Sequence, residues 1–246
     1  MGKYIDSIFN YCDRWCERCP FTSRCRSYSM GQAMERHVKR RDAENAKFWE
    51  AMDKACGDAL EEVKEQAGSL APPEKQDSEE EKQEKADFER HMKQRDKAVR
   101  GHPMSTLSDE YLKAAHNWLK RHFENTPDAI KDAVEVISWY HMFIHVKFAR
   151  ALHGLMDQHD EDYEELTDDG GVPFPKDCDG SAKIAIIAIE RSFAAWSLVR
   201  DRAEAEKKTA VKMMGMLLRM RSMAERYFPE ARKFHRPGFD DVGSRD

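Results

Sequence analysis

Apolar positions recur along this chain at three- and four-residue steps, and no stretch alternates strictly between polar and apolar residues. That periodicity predicts helices and argues against strands. Residues 32–66 read as one helix, with Phe48, Met52, Ala55, Ala59 and Val63 forming an apolar stripe. GSLAPPEKQDSEEE (residues 68–81) carries a double proline within a Gly, Ser and charge mixture, the composition of a linker or exposed loop. Residues 82–100 have high helix propensity but are almost wholly charged, so a solvated helix is expected.

A helix over 106–124 follows, with Ser108 as its expected N-cap and Tyr111, Leu112, Ala115, Trp118 and Leu119 on its buried face. Thr126-Pro127-Asp128 is a helix-start signal, a capping hydroxyl followed by proline at the first helical position. The helix it opens reaches 157. Its core face is Ile130, Ala133, Ile137, Tyr140, Ile144, Phe148, Ala151 and Leu155. Trp139, Met142, Phe143 and Val146 load the other side, so its middle is expected to be surrounded by protein.

Residues 158–180 read as a long acidic loop, unusual in a compact domain. Asp179-Gly180-Ser181 then caps a second central helix, apolar nearly all round from Ile184 to Val199. The last helix places Ala210, Met213, Leu217, Met220, Ala224 and Tyr227 on one face and stops before Pro229. The expected fold is all-α: a bundle of five or six helices with a short N-terminal four-cysteine metal-binding module. By position this divides into the module (1–30), a helix (31–66), a linker (67–81), the bundle (82–228) and an irregular tail (229–246).

Composition narrows the function classes. Of 246 residues, 40% are hydrophobic and 35% charged, which fits long helices with charged outer faces. The formal net charge of −5 comes from intermixed signs, so no clustered basic footprint for nucleic acid is present. The longest apolar run, IAIIAI, is far too short to span a membrane. The start, MGKYIDSIFN, lacks a signal-peptide pattern, and Asp6 stands where myristoylation needs Ser or Thr. A reducing, cytoplasmic setting is therefore the expectation, and there clustered cysteines serve metals or redox chemistry more often than structural disulfides.

Four of the six cysteines lie in YCDRWCERCPFTSRC, with the spacing C-x3-C-x2-C-x5-C. Were residues 5–19 helical, Cys12, Cys16 and Cys19 would share one face, and Pro20 would turn the chain so that Cys25 could complete a four-sulfur cage. Arg14, Arg18, Arg24 and Arg26 would offset the negative charge of such a centre. Ile5, Phe9, Tyr11, Trp15, Phe21 and Tyr28 would exclude water from it. Over this short segment alone, C-x3-C-x2-C resembles the cluster motif of radical SAM enzymes, but their β/α barrel and glycine-rich segment have no counterpart here. The spacing is also similar to the H-x3-C-x2-C motif of zinc-binding anti-sigma factors, with Cys12 in the histidine position, and Cys19-Pro20 resembles the end of ferredoxin motifs. An iron–sulfur cluster, 4Fe-4S in particular, is favoured over zinc and over redox thiols, since four cysteines so close together are commoner among iron–sulfur ligands. With either metal the site could serve simply as a staple for a segment too short to fold alone. Cys56 reads as a small buried residue, and Cys178 falls in the acidic loop with no assigned role.

Weaker candidates cluster on the two central helices. His141 and His145 stand four apart, but the Glu-x-x-His of ferritin-like di-iron bundles is absent, so buried, hydrogen-bonded histidines are expected. Glu190 lies on a polar stripe with Lys183, Ser197 and Asp201, the pattern of a solvent seam. Arg191 interrupts an apolar face and must find a carboxylate, as must Lys147 and Arg150. Two arrangements answer this: an ionic network of Arg150, Glu135, Glu190 and Arg191, or a pocket for a small anion. The methionines of the last helix read as core filling. The acidic loop lacks the ligand order of an EF-hand, and no nucleophile elbow, phosphate loop or dinucleotide fingerprint is present. Three functions follow: an iron–sulfur redox or sensing protein, a zinc-stapled module for a protein partner, and an enzyme with a pocket near Glu190, Arg191 and His145.

Overall fold

The computed structural model describes residues 3–42, 46–70, 78–122, 126–157 and 176–241. Among them are seven α-helices and no strand. The helices are α1 (Arg26–Asp42), α2 (Ala46–Leu70), α3 (Glu79–Gly101), α4 (Pro103–His122), α5 (Lys131–Asp157), α6 (Asp177–Arg202) and α7 (Lys207–Tyr227). No helix is long and apolar enough to cross a membrane among the described residues. The chain resolves into two units: Met1–Tyr4 with Pro20–Arg90, and Ile5–Cys19 with His91–Asp246.

In the first unit, the stretch expected to be helical over 31–66 carries α1 and α2, and residues 43–45 between them lie outside the described residues. The apolar stripe expected on that stretch is exposed where it is described: Met52 and Val63, with Trp49 and Leu60 beside them, all face solvent. Cys56 is exposed as well, not buried, because it shares that uncovered side of α2. The charged helix α3 is held at its start by a reciprocal pair. The Ser78 N–H donates to Glu81 Oε2 at 2.7 Å, and the Glu81 N–H donates to Ser78 Oγ at 3.1 Å. This is a capping box, which satisfies two otherwise orphaned amides.

The second unit is the bundle proper. α5 and α6 share the largest interface, α7 packs on α6, and α4 closes the ring by packing on both α5 and α7. Its core holds Tyr111, Trp118, Ile137, Tyr140, Ile144, Phe148, Trp196, Leu217 and Met220, all essentially inaccessible. Burying each such side chain stabilises by about 1.5–3 kcal/mol. The indoles of Trp118 and Trp196 sit 4.7 Å apart. Their N–H groups are satisfied by Glu206 Oε2 at 2.7 Å and by the Tyr111 hydroxyl at 3.0 Å, respectively. Burial pushes the Tyr111 hydroxyl up to about 12.

Three helix starts differ from the sequence reading. α4 begins at Pro103, so Ser108 is a buried residue within it and not its cap; its hydroxyl donates to the Ser105 carbonyl at 2.9 Å. The Thr126 hydroxyl bonds back to the His122 carbonyl, and Asp128–Ile130 form a 3-10 turn before α5. α6 starts at Asp177, which places Cys178 in its first turn, buried against Gly154, and not in a loop. The rest of the expected acidic loop, 158–175, lies outside the described residues. α5 is also less enclosed than expected: Met142 and Val146 are more than half exposed, because no helix among the described residues covers that side.

Candidate functional site

The segment Ile5–Cys19 is not an α-helix. Ser7 and Arg14 adopt φ of 57°, a left-handed conformation that breaks helical continuity. The Asp13 carboxylate takes the Trp15 N–H at 3.2 Å, a local bond that competes with helical hydrogen bonding. Cys12, Cys16 and Cys19 therefore do not line one helical face. Cys16 and Cys19 instead bracket one 3-10 turn, closed by the bond from the Cys19 N–H to the Cys16 carbonyl at 3.2 Å. In that geometry positions three apart lie nearly above one another. The Cys12 thiol donates to the Phe9 carbonyl at 3.5 Å. In the first unit, Cys25 precedes α1, and its sulfur receives the Tyr28 N–H at 3.5 Å.

Cys12, Cys16, Cys19 and Cys25 are partly accessible, and none of the six cysteines is in a disulfide. Among the described residues no three His, Cys, Asp or Glu side chains are grouped as a metal ion requires. Among the described residues the structure thus shows no four-cysteine metal-binding module.

What the structure does form is a clasp between the residues flanking these cysteines and the bundle. Trp15 stacks on Trp139 at 5.0 Å and 14°, with Tyr140 edge-on at 5.8 Å. Tyr11 packs against Phe234 and donates to Asp177 at 3.0 Å. Burial, then the charge of Asp177, pushes the Tyr11 hydroxyl up to about 12. Ile5 and Ile8 close on Gly238, whose φ of +79° suits glycine and whose α-carbon leaves no room for a side chain. Ile5, Tyr11 and Trp15, expected to wall the cysteines, serve here as anchors on the bundle. Arg18 lies over the Trp15 ring and pairs with Glu135.

Asp13 is the hub of the clasp, and the sequence reading does not single it out. Tyr140 donates its hydroxyl to Asp13 at 2.6 Å, Arg191 donates to both Asp13 and Tyr140, and Trp139 Nε1 donates to the Asp13 carbonyl at 3.0 Å. Burial and then the Asp13 bond hold the Tyr140 hydroxyl well above its ordinary range. Burial acts to lower the Arg191 pKa, but its bonds to Tyr140 and Asp13 outweigh that and raise it.

The network expected among Arg150, Glu135, Glu190 and Arg191 does not form, because each finds a partner outside that group. Arg150 makes a two-pronged bond to Asp177 at 2.9 and 3.1 Å. Glu190 pairs with Arg232, which also holds Glu225. His141 and His145 likewise part company. His141 Nδ1 meets the Ser138 carbonyl at 2.7 Å, and its ring lies parallel to His116 at 5.8 Å. His145 Nδ1 meets Ser108 Oγ at 2.9 Å. His145 also lines a polar cleft of about 490 Å³. Asp96, Arg100, Asp109 and His153 line that cleft with His145, and neither Glu190 nor Arg191 reaches it.

Lys147 is the outlier. Only 9% of it is exposed, and its ammonium lies 5.3 Å from the centre of the Phe143 ring. Burial first, then Arg150 and Arg14, lower its pKa, while Cys12 and Asp177 act the other way. No protein family, no curated protein and no solved structure matches this chain.

Proposed function

We propose that this chain is a metal-binding helical protein in which Cys12, Cys16, Cys19 and Cys25 ligate an iron–sulfur cluster, 4Fe-4S in type, for a redox or sensing role. The observation that carries the reading is the spacing C-x3-C-x2-C-x5-C in a chain whose cysteines form no disulfide. The clasp supports it. The residues that grip the bundle are Tyr11, Asp13, Trp15 and Arg18, which alternate with the first three cysteines and leave the sulfurs partly accessible.

Anaerobic purification followed by iron, sulfide and zinc analysis tests this. The expected result is brown protein with a visible band that dithionite bleaches. Colourless protein free of iron, with every cysteine open to thiol reagents, refutes it. One equivalent of zinc in colourless protein supports the second reading, a zinc-stapled module for a protein partner. That reading is favoured by the uncovered apolar residues Trp49, Met52, Leu60 and Val63 on α2.

A further inference from the structure

Cys16 and Cys19 belong to one unit and stand at the two ends of one hydrogen-bonded turn, in which the Cys19 N–H donates to the Cys16 carbonyl at 3.2 Å. The α-carbons at the ends of such a turn are under about 7 Å apart. A disulfide spans about 4.4–6.8 Å between α-carbons, so this pair can close with the backbone almost where it stands. Proline at position 20 biases Cys19 toward the extended backbone it adopts, φ −86° and ψ 125°, and so ends the turn at the second cysteine. The turn is also held from outside. Trp15, whose carbonyl accepts the Arg18 N–H at 3.1 Å, is buried and stacked on Trp139, and Arg18 pairs with Glu135. Both cysteines are partly accessible, so a small disulfide in solution can reach them. The other cysteines are placed differently. Left-handed Arg14 separates Cys12 from this turn, and the Cys12 thiol donates to the Phe9 carbonyl. Cys25 lies in the first unit, Cys56 is exposed on α2, and Cys178 is buried in α6.

We infer that Cys16 and Cys19 are a reactive dithiol, which exchanges with small-molecule disulfides and closes into a reversible Cys16–Cys19 disulfide. The thiolate of one cysteine attacks a sulfur of the incoming disulfide and expels its first thiol. The other cysteine then attacks the mixed disulfide and expels the second thiol. One S–S bond breaks in each step and one forms. The cysteine pair gives up two electrons and two protons, and the incoming disulfide leaves as two thiols. The activity needs no metal and so goes beyond the proposed function. A sulfur held in this disulfide has no thiolate to offer a metal, so oxidation of the pair and metal loading exclude one another.

Full-length wild type is purified anaerobically, its iron and zinc are measured, and it is treated with EDTA until metal-free. It is then equilibrated in a series of reduced and oxidised glutathione buffers, quenched with acid, alkylated and mapped by mass spectrometry. Cys16 and Cys19 should leave the thiol pool together, as one intramolecular disulfide that dithiothreitol reopens. Cys56, exposed and with no second cysteine one turn away, should stop at the glutathione adduct and serves as the internal reference. Cys16→Ser should halt Cys19 at that adduct, while Cys12→Ser and Cys25→Ser should still join Cys16 to Cys19. If in wild type Cys16 and Cys19 remain thiols where Cys56 is fully modified, stop at glutathione adducts, or pair with Cys12 or Cys25 instead, the inference is overturned, whatever metal the protein carried. Wild type that carries neither iron nor zinc as purified, yet closes the disulfide, overturns the proposed function and leaves the inference standing.

Discussion

Gly180 offers a direct measure of how firmly the cysteine-bearing segment is held on the bundle. It lies in the first turn of α6, buried, where a β-carbon would collide with the Tyr11 ring and come within 2.7 Å of Phe234 Cζ. Those two rings meet edge-to-face at 4.5 Å, and the Tyr11 hydroxyl is tied to Asp177 at 3.0 Å. Tyr11 therefore cannot swing clear of a new methyl without losing that bond or the ring contact. Alanine in place of glycine gains at most about 1 kcal/mol of helix propensity. Against that stand about 1–3 kcal/mol of overpacking and about 0.5–1.5 kcal/mol from the disturbed aromatic pair. The balance predicts that Gly180→Ala destabilises by about 1–3 kcal/mol, a fall in melting temperature of roughly 2–12 °C for a chain of this size. Gly215, exposed in the middle of α7 with open space where a methyl group would stand, is the control. Gly215→Ala should gain about 1 kcal/mol and melt a few degrees higher. Thiol labelling of Cys12, the neighbour of Tyr11, should quicken in Gly180→Ala and stay unchanged in Gly215→Ala. If Gly180→Ala melts as high as Gly215→Ala, the packing of Tyr11 on α6 is wrong.

Three further outcomes follow from the bundle's polar groups. Burial, with a smaller push from His116, lowers the His141 pKa in the folded chain despite the bond to the Ser138 carbonyl. The unfolded chain then takes up the proton first, so stability is full above about pH 6.5 and is lost as pH falls below that value; melting curves from pH 7.5 to 5.5 should show the loss, and His141→Gln should flatten it. Burial pushes the Asp240 carboxyl up, but Arg236 and Lys183, at 2.8 and 2.6 Å, outweigh it and hold the group well below the usual carboxylate range. Its contribution is present above about pH 4 and lost on further acidification, and Asp240→Asn should cost about 2 kcal/mol in urea unfolding at neutral pH. Asp13→Asn removes the charged acceptor shared by Tyr140 and Arg191; with Arg191 half exposed, the cost should be about 1–2 kcal/mol, and in combination with Arg191→Met the two losses should be less than additive.

Periodic features are legible in the sequence because they are local. The face of α5 running through Ile137, Tyr140, Ile144 and Phe148, and that of α7 through Met213, Leu217, Met220 and Ala224, are buried as the three- and four-residue steps require. The same rule predicts an interior face on α2, and there Met52 and Val63 are exposed, since periodicity shows that a face is apolar and not that anything covers it. It also predicts a helix through Cys12, Cys16 and Cys19. There two left-handed residues and the short bond from Trp15 to Asp13 override propensity, and neither Arg14 nor Asp13 announces this in composition. The Ser78 to Glu81 capping box has the spacing of its kind, but it falls inside a stretch with the composition of a linker.

The charges divide along a different line. The apolar neighbours of Arg191 on α6 make its need for a carboxylate evident, even though its side chain is half exposed. Which carboxylate it finds is not, among 46 acidic residues. The partner, Asp13, lies 178 positions away. Closing a longer loop costs only slightly more than closing a shorter one, so distance along the chain carries almost no information about who pairs with whom. What selects Asp13 is the packing that brings it there: Trp15 stacked on Trp139 on one side and Tyr11 held by Asp177 on the other. The ionic contact at the centre of the clasp is thus a consequence of aromatic packing at its two ends.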